Sequence, residues 1–112
     1  MRIAELGNEI INDLRKTGVD VSIQYIHNQS YESTPFIIYN YLTYEDYHAN
    51  DKLLFSVAEV TLNVIIETVE YDKIKILSKQ IKNANFKKAC KWYDNESRCY
   101  IMAFTKKYIV WE

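Results

Sequence analysis

The chain of 112 residues holds 48% hydrophobic side chains, 2 Gly and 1 Pro; one core of ordinary domain size suits these figures, and a multi-domain assembly, a disordered chain and any Gly-rich phosphate cradle are excluded. Its formal net charge of −1 hides a division, since residues 1–72 carry 4 basic and 12 acidic side chains whereas residues 73–112 carry 10 basic and 3 acidic. A dipolar molecule of this kind presents either a nucleic-acid patch or complementary faces that meet when copies associate head to tail.

Ile3, Leu6, Ile10 and Leu14 recur at three- and four-residue steps, with Glu5 and Glu9 early, Arg15 and Lys16 late, and Gly18 placed to end the run. This pattern predicts an amphipathic helix lying on a sheet. Val19, Val21, Ile23 and Tyr25 alternate with Asp20, Ser22 and Gln24 at the period of a half-buried strand. A polar loop is expected from His27 to Thr34, and Pro35 opens a second strand that runs to Leu42, where a missing N–H is tolerated. Thr43 to Lys52 is polar yet holds Tyr44, Tyr47 and His48, and reads as a loop with aromatic content. From Leu53 to Val69 a β-rich run sets Val60, Leu62, Val64 and Ile66 on one face and Glu59, Thr61, Asn63 and Glu67 on the other; its length predicts a bend or bulge near Ala58. A second helix follows, with Asp72 as N-cap, Ile74, Leu77, Ile81 and Ala84 buried, and Lys73, Lys75, Lys79 and Lys82 outward. The tail forms a hairpin about Asp94 to Ser97, with Lys87 and Lys91 on the face opposite Cys90 and Trp92. The predicted order is α-β-β-β-α-β-β: a single α+β domain over residues 1–112, an antiparallel or mixed sheet with two helices packed on it.

The same residues say little for catalysis. The chain shows neither a signal-peptide h-region nor a run of ~18 apolar residues, which points to a soluble intracellular product with no membrane. Cys90 and Cys99 fit neither C-x-x-C nor a Cys/His quartet, and His27 and His48 lie far off in sequence, so no metal site is expected. In the expected hairpin Trp92 faces Cys99 and Cys90 faces Ile101, which leaves the thiols on a diagonal of ~7–8 Å, too far for an easy disulfide; both read as small hydrophobes on one buried face. No lysine has an acidic residue two places before it, as metal-dependent nucleases commonly require, and neither Gly7 nor Gly18 flanks a serine. A thiol of Cys90 or Cys99 with His48 as base has no spacing to distinguish it from chance. Glu59 and Glu67 stand ~26 Å apart along a strand, beyond the reach of a glycosidase pair. No enzyme, catalytic residue or cofactor is expected.

What remains is binding. Ten tyrosines are an excess of a side chain enriched at protein interfaces, densest at Tyr39, Tyr41, Tyr44 and Tyr47. Lys87, Lys88 and Lys91 beside Trp92 and Tyr93 form a basic and aromatic mixture of the kind that grips single strands, or else protect a sheet edge from aggregation. Candidate partner-contact residues are Tyr44, Tyr47, His48, Asp51, Glu59, Lys87 and Lys91.

Pro35-Phe-Ile-Ile-Tyr39, the loop with Tyr47-His-Ala-Asn-Asp51, the β run Ser56 to Thr68, the Asp72 helix, Phe86-Lys-Lys88 and Trp92-Tyr-Asp-Asn-Glu-Ser-Arg-Cys-Tyr-Ile-Met-Ala-Phe104 resemble the tail-completion (tail terminator, tail-to-head joining) proteins of long-tailed siphophages and prophages of Gram-positive bacteria. The resemblance covers nearly the whole chain as a pattern of strand openings and a late hairpin with a Tyr-Asp turn; Val19 to Thr34 match only in character. It implies a structural virion protein at the tail-head junction, present in the host cytoplasm during assembly. Such proteins form a homo-oligomeric ring, hexameric in the typical case, that caps the tube built by the major tail tube protein, ends its polymerisation and docks the head connector protein. DNA passes through the lumen without sequence-specific binding. A closed ring is a heterologous assembly, and an acidic and a basic half would supply its unlike faces. Under this implication Thr43 to Lys52 or an exposed sheet edge reaches a neighbour or the tube, and an acidic lumen suits transit better than a basic one. The alternative is a small nucleic-acid-binding or host-interaction protein of phage origin that uses its lysine-rich helix and hairpin as a patch.

Overall fold

A computed structural model of the protein describes residues 1–28, 34–67 and 70–111. Helical spacing and alternation translate directly into its elements. A short 3-10 turn, Ile3–Glu5, leads into α1 (Leu6–Lys16); β1 (Ser22–Tyr25), β2 (Phe36–Ala49) and β3 (Lys52–Glu67) follow, then α2 (Tyr71–Asn83), β4 (Lys87–Asp94) and β5 (Cys99–Val110). The strands form one mixed sheet in the order β1-β2-β3-β5-β4, with β1 parallel to β2 and every other neighbour antiparallel. The chain is thus α+β, in the order its sequence pattern predicts.

Leu6, Ile10 and Leu14 are fully buried on one stripe of α1. That helix comes so close to β2 that a Cβ on Gly7 would stand 2.9 Å from the Tyr39 hydroxyl. It stops at Gly18, whose φ of 97° is a conformation that suits glycine. Beyond the stop, the Arg15 guanidinium donates to the carbonyls of Val19 at 2.9 Å and Val21 at 2.8 Å and so steers the chain into β1. On α2 the predicted stripe of Ile74, Leu77, Ile81 and Ala84 is buried, and Lys73, Lys75, Lys79 and Lys82 are exposed. Both helices cover the same face of the sheet, where Ile37, Tyr39, Val60, Leu62, Val64, Met102, Phe104 and Tyr108 complete a single core cluster.

One polar knot fastens these layers. The Lys106 ammonium donates to the Asp13 carboxylate of α1 at 3.2 Å and to the Ala84 carbonyl at the end of α2 at 2.9 Å. It also sits 4.6 Å from the centre of the Tyr108 ring, whose hydroxyl donates to the same Asp13 oxygen at 2.7 Å. A lysine on a core-facing position is tolerated because each of its contacts is an acceptor or a π face.

Several expectations are corrected. Thr43 to Lys52 is not a loop: β2 runs through to Ala49 and β3 starts at Lys52, leaving only Asn50 and Asp51 as the turn. These two have φ of 51° and 63°, the left-handed pair that a two-residue hairpin turn needs and that Asn and Asp tolerate. The irregularity expected near Ala58 lies in its partner, where Tyr44 is the extra residue of β2 between the pairs Thr43↔Ala58 and Glu45↔Val57. Strand β1 covers only Ser22–Tyr25: Ser22 stands opposite Phe36, where β2 begins, so Val19 to Val21 precede the pairing, and after Tyr25 the chain turns into a 3-10 helix, Ile26–Asn28. Glu70 precedes α2 and accepts from Thr34 and Lys73, so Asp72 sits inside the first turn instead of capping it.

The late hairpin also differs in register. Trp92 faces Ile101, Asp94 faces Cys99 and Cys90 faces Ala103, and an extra residue, Ala89, places Lys87 on the same face as Cys90 and Trp92 with Lys91 on the other. The Asp94 carboxylate accepts from the Ser97 hydroxyl and the Glu96 amide, and this local turn delays the return of the chain to Cys99. Cys99 is buried and Cys90 exposed, so they do not share a buried face; both are free thiols. Residues 29–33 of the expected polar loop and residues 68–69 of the β run lie outside the described residues.

Removing the shared carboxylate leaves two part-buried donors short of an acceptor, so Asp13→Ala should lower the unfolding free energy by about 2 kcal/mol and Tyr108→Phe by about 1 kcal/mol in urea titrations. Burial, and then the Asp13 carboxylate, push the Tyr108 phenol well above its usual value. The unfolded chain therefore loses this proton first. Its contribution is fully present below about pH 10 and declines as the pH rises further. The stability gap between wild type and Tyr108→Phe should shrink above about pH 10; a constant gap counts against the assignment.

Candidate functional site: three uncovered surfaces

Pairing with β5 stops where Ser56 meets Val110, so residues 46–49 and 52–55 continue as a two-stranded ribbon with no third strand among the described residues. The ribbon gives the molecule extents of 55 × 28 × 23 Å. Local contacts stiffen it: the Tyr47 ring stacks on Phe55 with centroids 4.5 Å apart, the Tyr47 hydroxyl donates to Glu45 at 2.6 Å, and the Ser56 hydroxyl donates to Asp46 at 2.6 Å. A second register shift, between Tyr47 and His48, leaves Leu54 unopposed and increases the twist. A bare two-stranded ribbon is marginal in water, and this one also exposes Tyr47, Leu53 and Leu54, the last at 53%. At its base stand Leu42 and Ile109, 70% and 56% exposed.

The second surface is the sheet face turned away from the helices. The register sets Leu42, Glu59 and Lys107 in one row across it, with Asn40, Thr61 and Thr105 in the next. Glu59 and Lys87 line a cavity of about 350 Å³ on this side together with Asn85, Thr105, Lys106 and Lys107. Cys90 and the exposed Trp92 lie further along the same face.

The third surface is a groove of about 490 Å³ between α2 and β4, floored by Ile74 and Met102 and rimmed by Lys75, Lys79, Lys82, Lys88 and Lys91. Lys88 and Lys91 face α2 because they stand opposite Phe104 and Met102, both core residues. Lys91 lies 5.3 Å from the centre of the Tyr100 ring.

The candidate contact residues are thereby divided. Tyr47, His48 and Asp51 come together on the ribbon, with Tyr44 at its base as the bulged residue; the Tyr44 side chain lies outside the description. Glu59 and Lys87 meet at the open-face cavity, and Lys91 belongs to the groove. Sequence reasoning passed over Leu42, Leu53, Leu54 and Ile109. The adjacent pair Leu53-Leu54 was the available signal, because one of two neighbouring leucines in a strand must leave the core side. It also read the α2 lysines only as an outward face, without their partners on β4.

Across four cavities described, Glu59 and Asp46 are the lining carboxylates, and neither meets a second carboxylate, a thiol or an imidazole in its cavity. Among the described residues no group of three or more His, Cys, Asp or Glu is placed to hold a metal ion, and no helix is long and apolar enough to cross a membrane. Comparison with protein-family models and with curated proteins finds no match to this chain.

The two thiols report on the open face. A thiol reagent should modify one cysteine in the native protein, Cys90, and the second only after denaturation, with Cys90→Ser abolishing the native reaction. Two equally fast thiols would contradict the burial of Cys99.

Proposed function

We propose that this chain is a structural assembly subunit, a tail-completion protein of a long-tailed phage or prophage, which acts by packing against copies of itself and transforms no substrate. The observation that carries the reading is the projecting ribbon, with Tyr47, Leu53 and Leu54 exposed on two strands that no third strand among the described residues joins. Its own surface and the open sheet face differ in shape and chemistry, so a contact between them is heterologous, and heterologous contacts close rings when the rotation permits. Apolar side chains at the ribbon and around Leu42 and Ile109 supply area to bury, while Glu59 and Lys107 fix orientation. The sequence resemblance gives that ring its role: six copies capping the tail tube, ending growth of the tube protein, docking the head connector and leaving a lumen for DNA, with the virion as the final location.

Light scattering coupled to size exclusion should give a multiple of the monomer mass that rises with protein concentration or on addition of tail tubes. Leu53→Asp/Leu54→Asp should reduce it to monomer with an unchanged far-UV circular dichroism spectrum, and should abolish decoration of tube ends in electron micrographs. A protein that stays monomeric at high concentration and leaves tube ends bare refutes the reading.

A further inference from the structure

We infer that the groove between α2 and β4 is a binding site for the phosphate backbone of single-stranded nucleic acid, with Tyr93 as a stacking platform at its end. Residues 73–93 hold seven lysines and no carboxylate. Five of the seven, Lys75, Lys79, Lys82, Lys88 and Lys91, rim one groove. Among the described residues no ion pair engages Lys75, Lys79, Lys82 or Lys88, while Lys73 is held aside by Glu70 at 2.8 Å.

The cations form two facing rows. Lys75, Lys79 and Lys82 follow one another along a stripe of α2 over about 10 Å of helix. Lys88 and Lys91 share the helix-facing side of β4 because the extra residue Ala89 lies between them. Without that bulge the odd spacing would send the two lysines to opposite faces. Two rows of like charge across a narrow groove repel one another, and a chain with one negative charge per step relieves the repulsion along its whole length.

Edge protection alone explains lysines on β4, which is an edge strand, but not a second row on the helix opposite. The ribbon of another copy is a poorer occupant than a phosphate chain. It offers Glu45, Asp46 and Asp51 against Lys52, and two of those carboxylates already accept hydrogen bonds from Tyr47 and Ser56. An aromatic platform points to an unpaired strand. Tyr93 continues the Lys88 and Lys91 side of β4, is 42% exposed, and is braced edge-on by Tyr100 with centroids 5.1 Å apart. Bases stack on such rings without regard to sequence, whereas a duplex keeps its bases inside.

The test is fluorescence anisotropy of the full-length chain with a labelled oligothymidylate of about twelve nucleotides, an equal-length duplex as comparison, and salt varied from about 50 to 200 mM. Three to four phosphate contacts predict a slope of log affinity against log salt of about −2 to −3 for a single strand. Lys79→Gln/Lys88→Gln should weaken binding at low salt at least about tenfold and flatten the slope by about 1.4, whereas Lys16→Gln on α1 leaves both unchanged. Tyr93→Leu should cost about fivefold or more with the slope preserved. All substituted side chains are exposed, and equal urea midpoints show that each variant is folded. No binding at about 50 mM salt, tighter binding of the duplex, or equal losses in Lys16→Gln and the groove variants overturns the proposal. So does a groove variant that changes only the mass of the oligomer, which would assign the groove to the ribbon of a second copy. Monomeric protein that still binds the oligonucleotide separates this inference from the ring reading, on which it does not depend.

Discussion

Two short helices can cover one face of a five-stranded sheet and no more. The rest of this structure follows from that limit. The core lies wholly between the helices and the side of the sheet that carries Val60, Leu62, Val64 and Phe104. The Asp13, Lys106 and Tyr108 contacts hold both helices over it, since Lys106 touches α1 through a carboxylate and α2 through the carbonyl of Ala84. A lysine in that position also closes the helix-covered side with a charge, so the core cannot simply be widened by adding apolar area there. The surfaces left open are the far sheet face, the ribbon, and the groove where α2 stops short of the β4 edge.

The ribbon is the second consequence. Strand β3 has sixteen residues and β5 twelve, so with Ser56 set against Val110 the long hairpin outruns the sheet. Its bulges fall at Tyr44 and Leu54, on opposite strands and on either side of the point where the third strand is lost. Bulges raise local twist, and twist lets a two-stranded ribbon pack its own side chains, as Tyr47 does on Phe55. This self-packing stiffens the ribbon without hiding Leu53 and Leu54. A rigid element with an apolar side loses less conformational freedom on docking than a loose loop would.

The helices and the core were legible in the sequence because periodicity reports burial, and Leu6, Ile10, Leu14, Leu77 and Ile81 are all buried. The face assignment of Val60, Leu62, Val64 and Ile66 was legible for the same reason. What escaped was governed by polar residues. Thr43 to Lys52 has the composition of a loop, and it is a strand pair because Asn50 and Asp51 accept left-handed backbone and bring two β-prone segments into register. Periodicity is silent there, since neither side of a bare ribbon is buried. The hairpin faces were misread for a narrower reason: one extra residue, Ala89, exchanges the sides of everything that follows it on β4. A single insertion of this kind is invisible to alternation counted from one end, and it decides that Lys91 shares the α2 side with Lys88 while Lys87 joins Cys90 and Trp92 on the open face.

The division of charge along the chain becomes a division in space through the sheet order. Strands β1, β2 and β3 fill one side and β5 and β4 the other, so the acidic part and the basic part of the sequence are laid out side by side instead of being interleaved. Had β4 and β5 been inserted between β1 and β3, lysines would have neighboured carboxylates and the charges would have cancelled locally. Opposite charges face each other where the halves meet: Glu59 stands beside Lys107 across the β3 and β5 seam, Asp13 of α1 holds Lys106, and Glu70 holds Lys73 at the start of α2. Away from the seam residues 73–93 bring seven lysines and no carboxylate of their own, and a Debye length of ~8–10 Å limits how far the acidic half can neutralise them in physiological salt. A separated dipole of this form is suited to two tasks at once. Such a field orients unlike surfaces as they approach, and it leaves one edge of the molecule with a positive potential that an extended polyanion can follow.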